Sequence, residues 1–165
     1  MTKPDPALVR QYFDYNPETG ELRWRIGSRR RAAGSIAGTP AKSEKNRVIV
    51  GFQGKTYKAH TIIWAYQTGK WCDNQIDHIN ENPSDNRWNN LREATKSQNM
   101  MNISKIISNT SGYKGVGFHK KRKKWRAYIK ADGKFYHLGL FETKEEAADA
   151  YQNAAKKLHG LFAKF

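Results

Sequence analysis

The stretch from Tyr113 to Gly160 constrains the fold of this chain more than any other. "YKGVGFHKK", "KKWRAYIKA" and "KFYHLGLF" have strand composition, and "ADGK" puts an Asp-Gly pair between the second and third runs. Asp-Gly accepts the positive φ angles of a two-residue hairpin turn, so these runs read as antiparallel strands. "TKEEAADAYQNAAKKLHG" follows as an amphipathic helix. Thr143 and Glu146 make a capping box, Ala147, Ala148, Tyr151, Ala154, Ala155 and Leu158 share one face, and Gly160 ends it. A three-stranded antiparallel sheet packed on one helix is expected over residues 113 to 165.

Alternation sorts the faces of that sheet. Trp125, Ala127 and Ile129, with Val116 and Leu138, should cover the alanine face of the helix. Arg126, Tyr128 and Lys130, with Lys114 and His137, should then face outward, and His119 and Arg122 of the "HKKRKK" turn should lie at the rim. A face of Arg, Tyr, Lys and His suits a major groove, with lysines gripping phosphates. Antiparallel sheets often leave one side polar to solvent, but the one-sided positive charge favours DNA over that reading. The whole chain agrees: 30 Lys plus Arg against 15 Asp plus Glu in 165 residues give a net charge of +15, the balance of a polyanion binder.

The single cysteine, Cys72, excludes an intramolecular disulfide and a multi-cysteine zinc site. "MTKPDPALVRQYF" has no signal-peptide core and "TIIWAY" is too short to span a bilayer, so a soluble cytoplasmic protein is expected. "DPALVRQYF" reads as a helix with Asp5 as N-cap and Pro6 at its first position, and "PETGELRWR" as a turn into a strand. "IGSRRRAAGSIAGTPAKSEKN" reads as a mobile basic loop whose Arg29, Arg30 and Arg31 track phosphates. "RVIVGFQGKTYKAH" reads as a hairpin turning near Gln53-Gly54, and "TIIWAYQTGKW" as a helix stopping at Gly69. Trp64, Trp71 and Trp88 are core candidates, and His60 a hydrogen-bonded structural residue.

The most polar stretch, "QIDHINENPSDNRWNNLREATKSQN" at 75 to 99, holds residue types a core does not need. "QIDHI" reads as a strand, "NENPSDNRWNN" as a turn-rich loop and "LREATKSQNMMN" as helix-compatible, a ββα order. Phosphodiester hydrolysis needs an activated water, a cation against developing charge and help for the leaving oxygen. A histidine can be the base near neutral pH, and a carboxylate with an amide oxygen can hold a hard cation that keeps some waters. His78 is therefore the candidate base, Asp77 and Asn99 the candidate metal ligands, and Asn90 the residue that holds the loop. Asp77 and His78 are neighbours, so from a flat strand they point apart. They can cooperate if His78 reaches the water from across the phosphate, or if the strand ends there. Arg92 is either a phosphate contact or a solvated side chain.

Two resemblances follow from these motifs. "YKGV", "W-x-A-x-I", "HLGLF-x-T" and "EEAA-x-AY" resemble the plant ethylene-response-factor (APETALA-two type) domain, which implies DNA contacts by Lys114, His119, Arg126, Tyr128, Lys130 and His137; Arg122 of the basic turn is a further expected DNA contact. "IDHIN", "NNL" and "SQN", with "KAHTIIWAYQTG" upstream, resemble the phage and intron-encoded HNH endonucleases. That implies an α+β chain with a ββα-metal nuclease module: His78 as base, Asn90 fixing its loop, and Asp77 plus Asn99 on a divalent cation. Mg²⁺ is the expected ion, with Mn²⁺ the alternative and no zinc, because the paired cysteines of zinc-containing relatives are missing. The cleavage ends implied are 3′-hydroxyl and 5′-phosphate.

The expected organisation is a nuclease module with an N-terminal extension over 1–102, a linker at 103–112 and the DNA-binding domain over 113–165. The expected activity is that of a Mg²⁺-dependent homing-type DNA endonuclease, in the host cytoplasm if phage-encoded. Its partner would be double-stranded DNA, met by a monomer or weak dimer, without membrane or small-molecule cofactor. A monomer should nick and a dimer could cut both strands. The rivals are a DNA-binding regulator with an unused nuclease site and a binder of structured RNA; the latter lacks the aromatic motifs of an RNA-recognition sheet.

Overall fold

The computed structural model describes residues 3–42, 47–102 and 109–165. The end of the basic loop and most of the expected linker lie outside those residues. Two compact units result, residues 1–94 and 95–165. The division falls before the expected linker, because the short helix after Ala94 packs on the C-terminal turn of the second unit.

In the first unit, helix α1 (Pro6–Tyr12) starts at Asp5, whose carboxylate accepts the Ala7 N–H at 2.8 Å. Strands β1 (Phe13–Tyr15) and β2 (Leu22–Trp24) form an antiparallel hairpin. Strands β3 (Thr39–Ala41), β4 (Arg47–Phe52) and β5 (Lys55–Lys58) make a second sheet in the order β3-β4-β5. The β4–β5 turn takes positive φ at Gln53 and Gly54, as its sequence expects. Helix α2 (Ala59–Thr68) ends at Gly69 in the left-handed region, which a residue without Cβ enters at no steric cost. Strands β6 (Gln75–His78) and β7 (Leu91–Ala94) pair antiparallel.

Phe13, Val50, Ile62 and Ile63 centre the core, joined by Trp24, Phe52, Ile76 and Leu91. The tryptophans expected inside pack at its margin: Trp64 on Trp88, and Trp71 on Tyr57.

Two parts of this unit differ from the sequence reading. The basic segment is not wholly a loop, because Thr39–Ala41 pairs with β4 through Pro40↔Val48. Pro40 is tolerated there because β3 is an edge strand. "LREA" is strand rather than helix, with Leu91 and Ala94 buried. The helix begins only after Thr95, whose capping box with Gln98 starts α3 (Lys96–Met101).

The second unit holds α3 and the expected sheet and helix. Strands β8 (Val116–His119), β9 (Lys124–Ala131) and β10 (Lys134–Phe141) run antiparallel in the order β10-β9-β8. Asp132 and Gly133 make the β9–β10 turn with positive φ at both positions. Helix α4 (Lys144–His159) carries the Thr143–Glu146 capping box and packs Ala147, Ala148, Tyr151 and Ala155 on Val116, Ala127 and Ile129. Leu158 departs from its expected place and is exposed. Steps of four from Tyr151 reach Ala155 and then His159, so His159 takes the buried position, its Nε2 3.0 Å from the Lys130 carbonyl oxygen. Gly115, at φ +70°, sits where an added Cβ would lie 2.2 Å from the Tyr151 ring. The sheet and helix can meet there only through a residue without a side chain.

Candidate functional site

The β6–β7 hairpin puts the polar residues of "QIDH" where both faces of a strand are covered. Ile76, Asp77 and His78 are all buried. The register pairs Asp77 with Arg92 and His78 with Leu91. Alternation therefore sends Asp77 to one face with Arg92, while Ile76 and His78 take the face of the core. The strand ends at His78.

Asp77 is 5% exposed and accepts from Arg92 Nε at 2.9 Å, with Arg92 Nη2 also 2.9 Å from the same Oδ2. Arg92 is thus neither solvated nor directed to a phosphate here; it fixes the direction of the buried carboxylate.

His78 Nε2 lies 3.1 Å from Asn86 Oδ1. An amide oxygen only accepts, so this pairing puts the ring hydrogen on Nε2 and leaves Nδ1 as the acceptor nitrogen. Burial draws the His78 imidazole below its ordinary pKa, against the opposing effect of the Asn86 hydrogen bond. His60, at the start of α2, meets His78 edge to face with ring centroids 5.0 Å apart. His60 is buried, and in place of the hydrogen bonding expected of it, its Nδ1 has no partner among the described residues. Burial, reinforced by the charges of His78, Arg47 and Lys58, pushes its pKa down to about 3. It is a neutral packing surface for His78.

Asn90 ties the loop between the strands. Its Oδ1 accepts the Asn80 N–H at 3.0 Å, and its Nδ2 donates to Asn80 Oδ1 at 3.0 Å and to the Asp85 carbonyl at 2.8 Å. Its own carbonyl accepts from Ile79 N–H at 2.9 Å. Asp85 in turn holds Arg87, whose hydrogen bonds push the Asp85 carboxyl down to about 2.

The hairpin β1–β2 supports the same loop from the N-terminal side. The buried Tyr15 hydroxyl donates to the Asn86 carbonyl at 2.8 Å, and burial raises that phenol's pKa. Pro17 O accepts the Trp88 N–H at 3.0 Å. A Cβ on Gly20 would lie 2.6 Å from Arg87 N and 2.7 Å from the Asn86 carbonyl carbon. Asn86, Tyr15 and Gly20 escape a search for isolated catalytic residue types. Asn86 carried one signal, its place in the polar loop eight residues after His78.

Asn99 stands on α3 in the second unit, half-buried, with its N–H donating to the Thr95 carbonyl at 2.9 Å. Among the described residues no group of three or more His, Cys, Asp or Glu side chains could hold a metal ion. A cation using Asp77 would complete its shell with amide oxygen, water and substrate phosphate, the mixture a hard ion such as Mg²⁺ accepts. The donors are oxygens, which fits such an ion and not a thiolate-bound zinc.

In the second unit the face of β9 away from α4 presents Lys124, Arg126, Tyr128 and Lys130, and strand pairing brings His119 and His137 onto it. Arg126, Tyr128, Lys130 and His137 are exposed, and Arg122 is exposed in the turn before β9. His119 is half-buried, its Nδ1 accepting the Arg122 N–H at 3.3 Å. Lys114 is more enclosed than expected, since its ammonium donates to the Met101 carbonyl at 2.6 Å. Phe135, not among the expected contacts, is 70% exposed and opposite Lys130, whose ammonium lies 5.2 Å from its ring centroid. Its spacing of two from His137 was the available signal.

Comparison with known proteins matches the HNH endonuclease family over residues 57–101 and the AP2 domain over residues 111–161. Protein 3.8 of Escherichia phage T7 is 35% identical over 112 residues, spanning 67% of this chain and 92% of that protein. An uncharacterized HNH endonuclease of Acanthamoeba polyphaga mimivirus is 33% identical over 91 residues, 55% of this chain and 46% of its own length. An AP2-like ethylene-responsive transcription factor of Arabidopsis thaliana is 43% identical over 56 residues, 34% of this chain and 12% of that protein. No solved structure matches.

Proposed function

The chain belongs to the family of Protein 3.8 of Escherichia phage T7 and carries an HNH endonuclease segment followed by an AP2 domain, and on that premise we propose that it is a Mg²⁺-dependent, homing-type DNA endonuclease. The observation that carries the reading is the buried His78, held at Nε2 by Asn86 with Nδ1 as its acceptor nitrogen. A nuclease needs such a base, because the attacking water must lose a proton as it reaches phosphorus.

In this reading His78 Nδ1 takes the proton from the attacking water. Asn86 holds the ring in that tautomer, and Asn90 fixes the loop that carries Asn86 through Asn80 and Asp85. Asp77, oriented by Arg92, would contribute a carboxylate oxygen to the divalent cation, which would supply positive charge for the leaving oxygen when bound. Asp77 and His78 leave β6 on opposite faces, so their roles would be separate: His78 as the base and Asp77 as the carboxylate that would hold the cation. The outward face of β8–β10 binds duplex DNA through Arg126, Tyr128, Lys130 and His137, with Arg122 and His119 at its rim and Lys114 at its edge.

The test is a supercoiled-plasmid assay of the wild type and His78→Ala, each with Mg²⁺ or EDTA, with circular dichroism to establish that the variant folds. Relaxed or linear plasmid from the wild type with Mg²⁺ alone is the expected result. Tight duplex binding without cutting, repeated on a diverse genomic library, would overturn the nuclease and leave a DNA-binding regulator. Preference for structured RNA over duplex would overturn both.

A further inference from the structure

From Leu22 to Ser43 the chain has no Asp or Glu, yet it carries Arg23, Arg25, Arg29, Arg30, Arg31 and Lys42. Its described part is built rather than loose. Ser28 N–H donates to the Arg31 carbonyl at 2.8 Å and Arg31 N–H returns to Ser28 at 3.3 Å, closing a two-residue turn with Arg29 and Arg30 at its tip. Below the tip, Gly34 N–H donates to the Trp24 carbonyl at 2.6 Å and Ala37 N–H to the Leu22 carbonyl at 2.7 Å. Buried Ala37 seats that strand of chain against the core.

The arginines then separate by what they touch. Arg23 pairs with Glu21 at 2.8 Å and Arg25 with Asp14 at 2.5 Å. Arg31 lies over buried Trp24, its guanidinium 3.5 Å from the ring centroid. It is a cover for the core and not the phosphate contact its sequence position implies. Arg29 and Arg30 are exposed and have no acidic or aromatic partner among the described residues.

We propose that the Arg29–Arg30 tip is a second DNA-binding element, which grips the sugar–phosphate backbone of duplex DNA from the first unit, independently of the C-terminal sheet. The inference rests on the DNA-binding part of the proposed function. Guanidinium forks match phosphate oxygens, and a turn closed by its own backbone loses less freedom on binding than a mobile loop. Among the described residues no carboxylate pairs with Arg29 or Arg30 and competes with phosphate there. Such contacts add affinity on any sequence and leave base preference to the sheet.

The experiment measures binding of the full chain to an arbitrary duplex in EDTA over a range of salt. It compares the wild type with Arg29→Gln/Arg30→Gln and with a charge-matched control, Lys156→Gln/Lys157→Gln, at the exposed end of α4. Losing two phosphate contacts lowers the slope of log affinity against log salt by about 1.8 and weakens binding about tenfold or more near 0.1 M salt. Arg29→Lys/Arg30→Lys restores most of the slope, and thermal melting is unchanged throughout. A tip variant with the wild-type slope, or with no greater loss than the control, overturns this inference alone. A wild type without salt-dependent duplex binding overturns it together with the DNA-binding reading.

Discussion

Arg92 Nε and Nη2 each stand 2.9 Å from Asp77 Oδ2, across the strand pair that places the two residues opposite one another. A buried carboxylate that loses the arginine paired with it stays desolvated and poorly compensated. Arg92→Met is therefore expected to cost about 3 kcal/mol, read as a lower midpoint in urea. The same pair complicates the obvious test of Asp77, since Asp77→Asn strands the arginine as well. Asp77→Asn/Arg92→Met removes both charges together and should fold near wild-type stability without cutting. Cutting by that double variant at the wild-type rate would show that the Asp77 charge is not needed to hold the cation.

Asn86 is the link between the N-terminal hairpin and His78. Asn86→Ala should lower the cleavage rate on the order of 10- to 100-fold, the scale of a misplaced catalytic group, with duplex affinity unchanged. Tyr15→Phe leaves the buried Asn86 carbonyl without its hydroxyl donor and is expected to cost about 1–3 kcal/mol. Its cleavage should fall in the same direction, by less. Single-turnover rates beside gel-shift affinities separate positioning from binding.

Gly20 sits at φ +77°, with the Asn86–Arg87 peptide in the space a Cβ would fill. Gly20→Ala should push that peptide away and destabilise the fold by about 1–3 kcal/mol. Gly54, also at positive φ but with nothing within 4 Å, provides the comparison. Gly54→Ala should carry only the backbone strain, about 1–2 kcal/mol, and leave cleavage intact. Equal cleavage by the two variants would show that Gly20 does not shape the site.

His60 gives stability a sign with pH. Burial first, and then neighbouring positive charge, holds its folded pKa near about 3, below the ordinary 6.5. Between those values the unfolded chain binds a proton that the folded chain does not. This contribution is fully present above pH 6.5 and is lost as pH falls towards 3. From pH 7 to pH 5 it amounts to about 2 kcal/mol. Denaturation at both pH values, beside His60→Gln, checks it: the variant's stability should fall by correspondingly less.

On the sheet, Arg126 and Lys130 project from β9 without burial. Arg126→Ala/Lys130→Ala should weaken duplex binding by at least about tenfold, given about 1–3 kcal/mol for a good base contact, and leave the melting temperature unchanged. Wild-type affinity would move the DNA surface elsewhere.

The C-terminal fold was legible in the sequence because every signal there is local. Period-two alternation, Asp132-Gly133 and the Thr143–Glu146 box act within a few residues of one another and agree. Leu158 and His159 mark the limit, since the last turn of a helix rotates one residue in or out according to what the sheet offers.

In the polar stretch the sequence determined which chemistry was present: a histidine, a carboxylate and amides at nuclease spacing. Tertiary structure decided how they are used. Arg92 became the partner of Asp77 only once β7 paired with β6 in one register, and "LREA" became strand through the same pairing. Asn86 reached His78 through a loop that Tyr15 and Gly20 brace from more than sixty residues away in the chain. Arg31 parted from Arg29 and Arg30 by meeting the buried ring of Trp24. Residue type carries acid–base capacity and charge along the chain, whereas direction, burial and partner arise only where distant segments pack. That is why the sequence alone identified the candidates and the fold alone paired them.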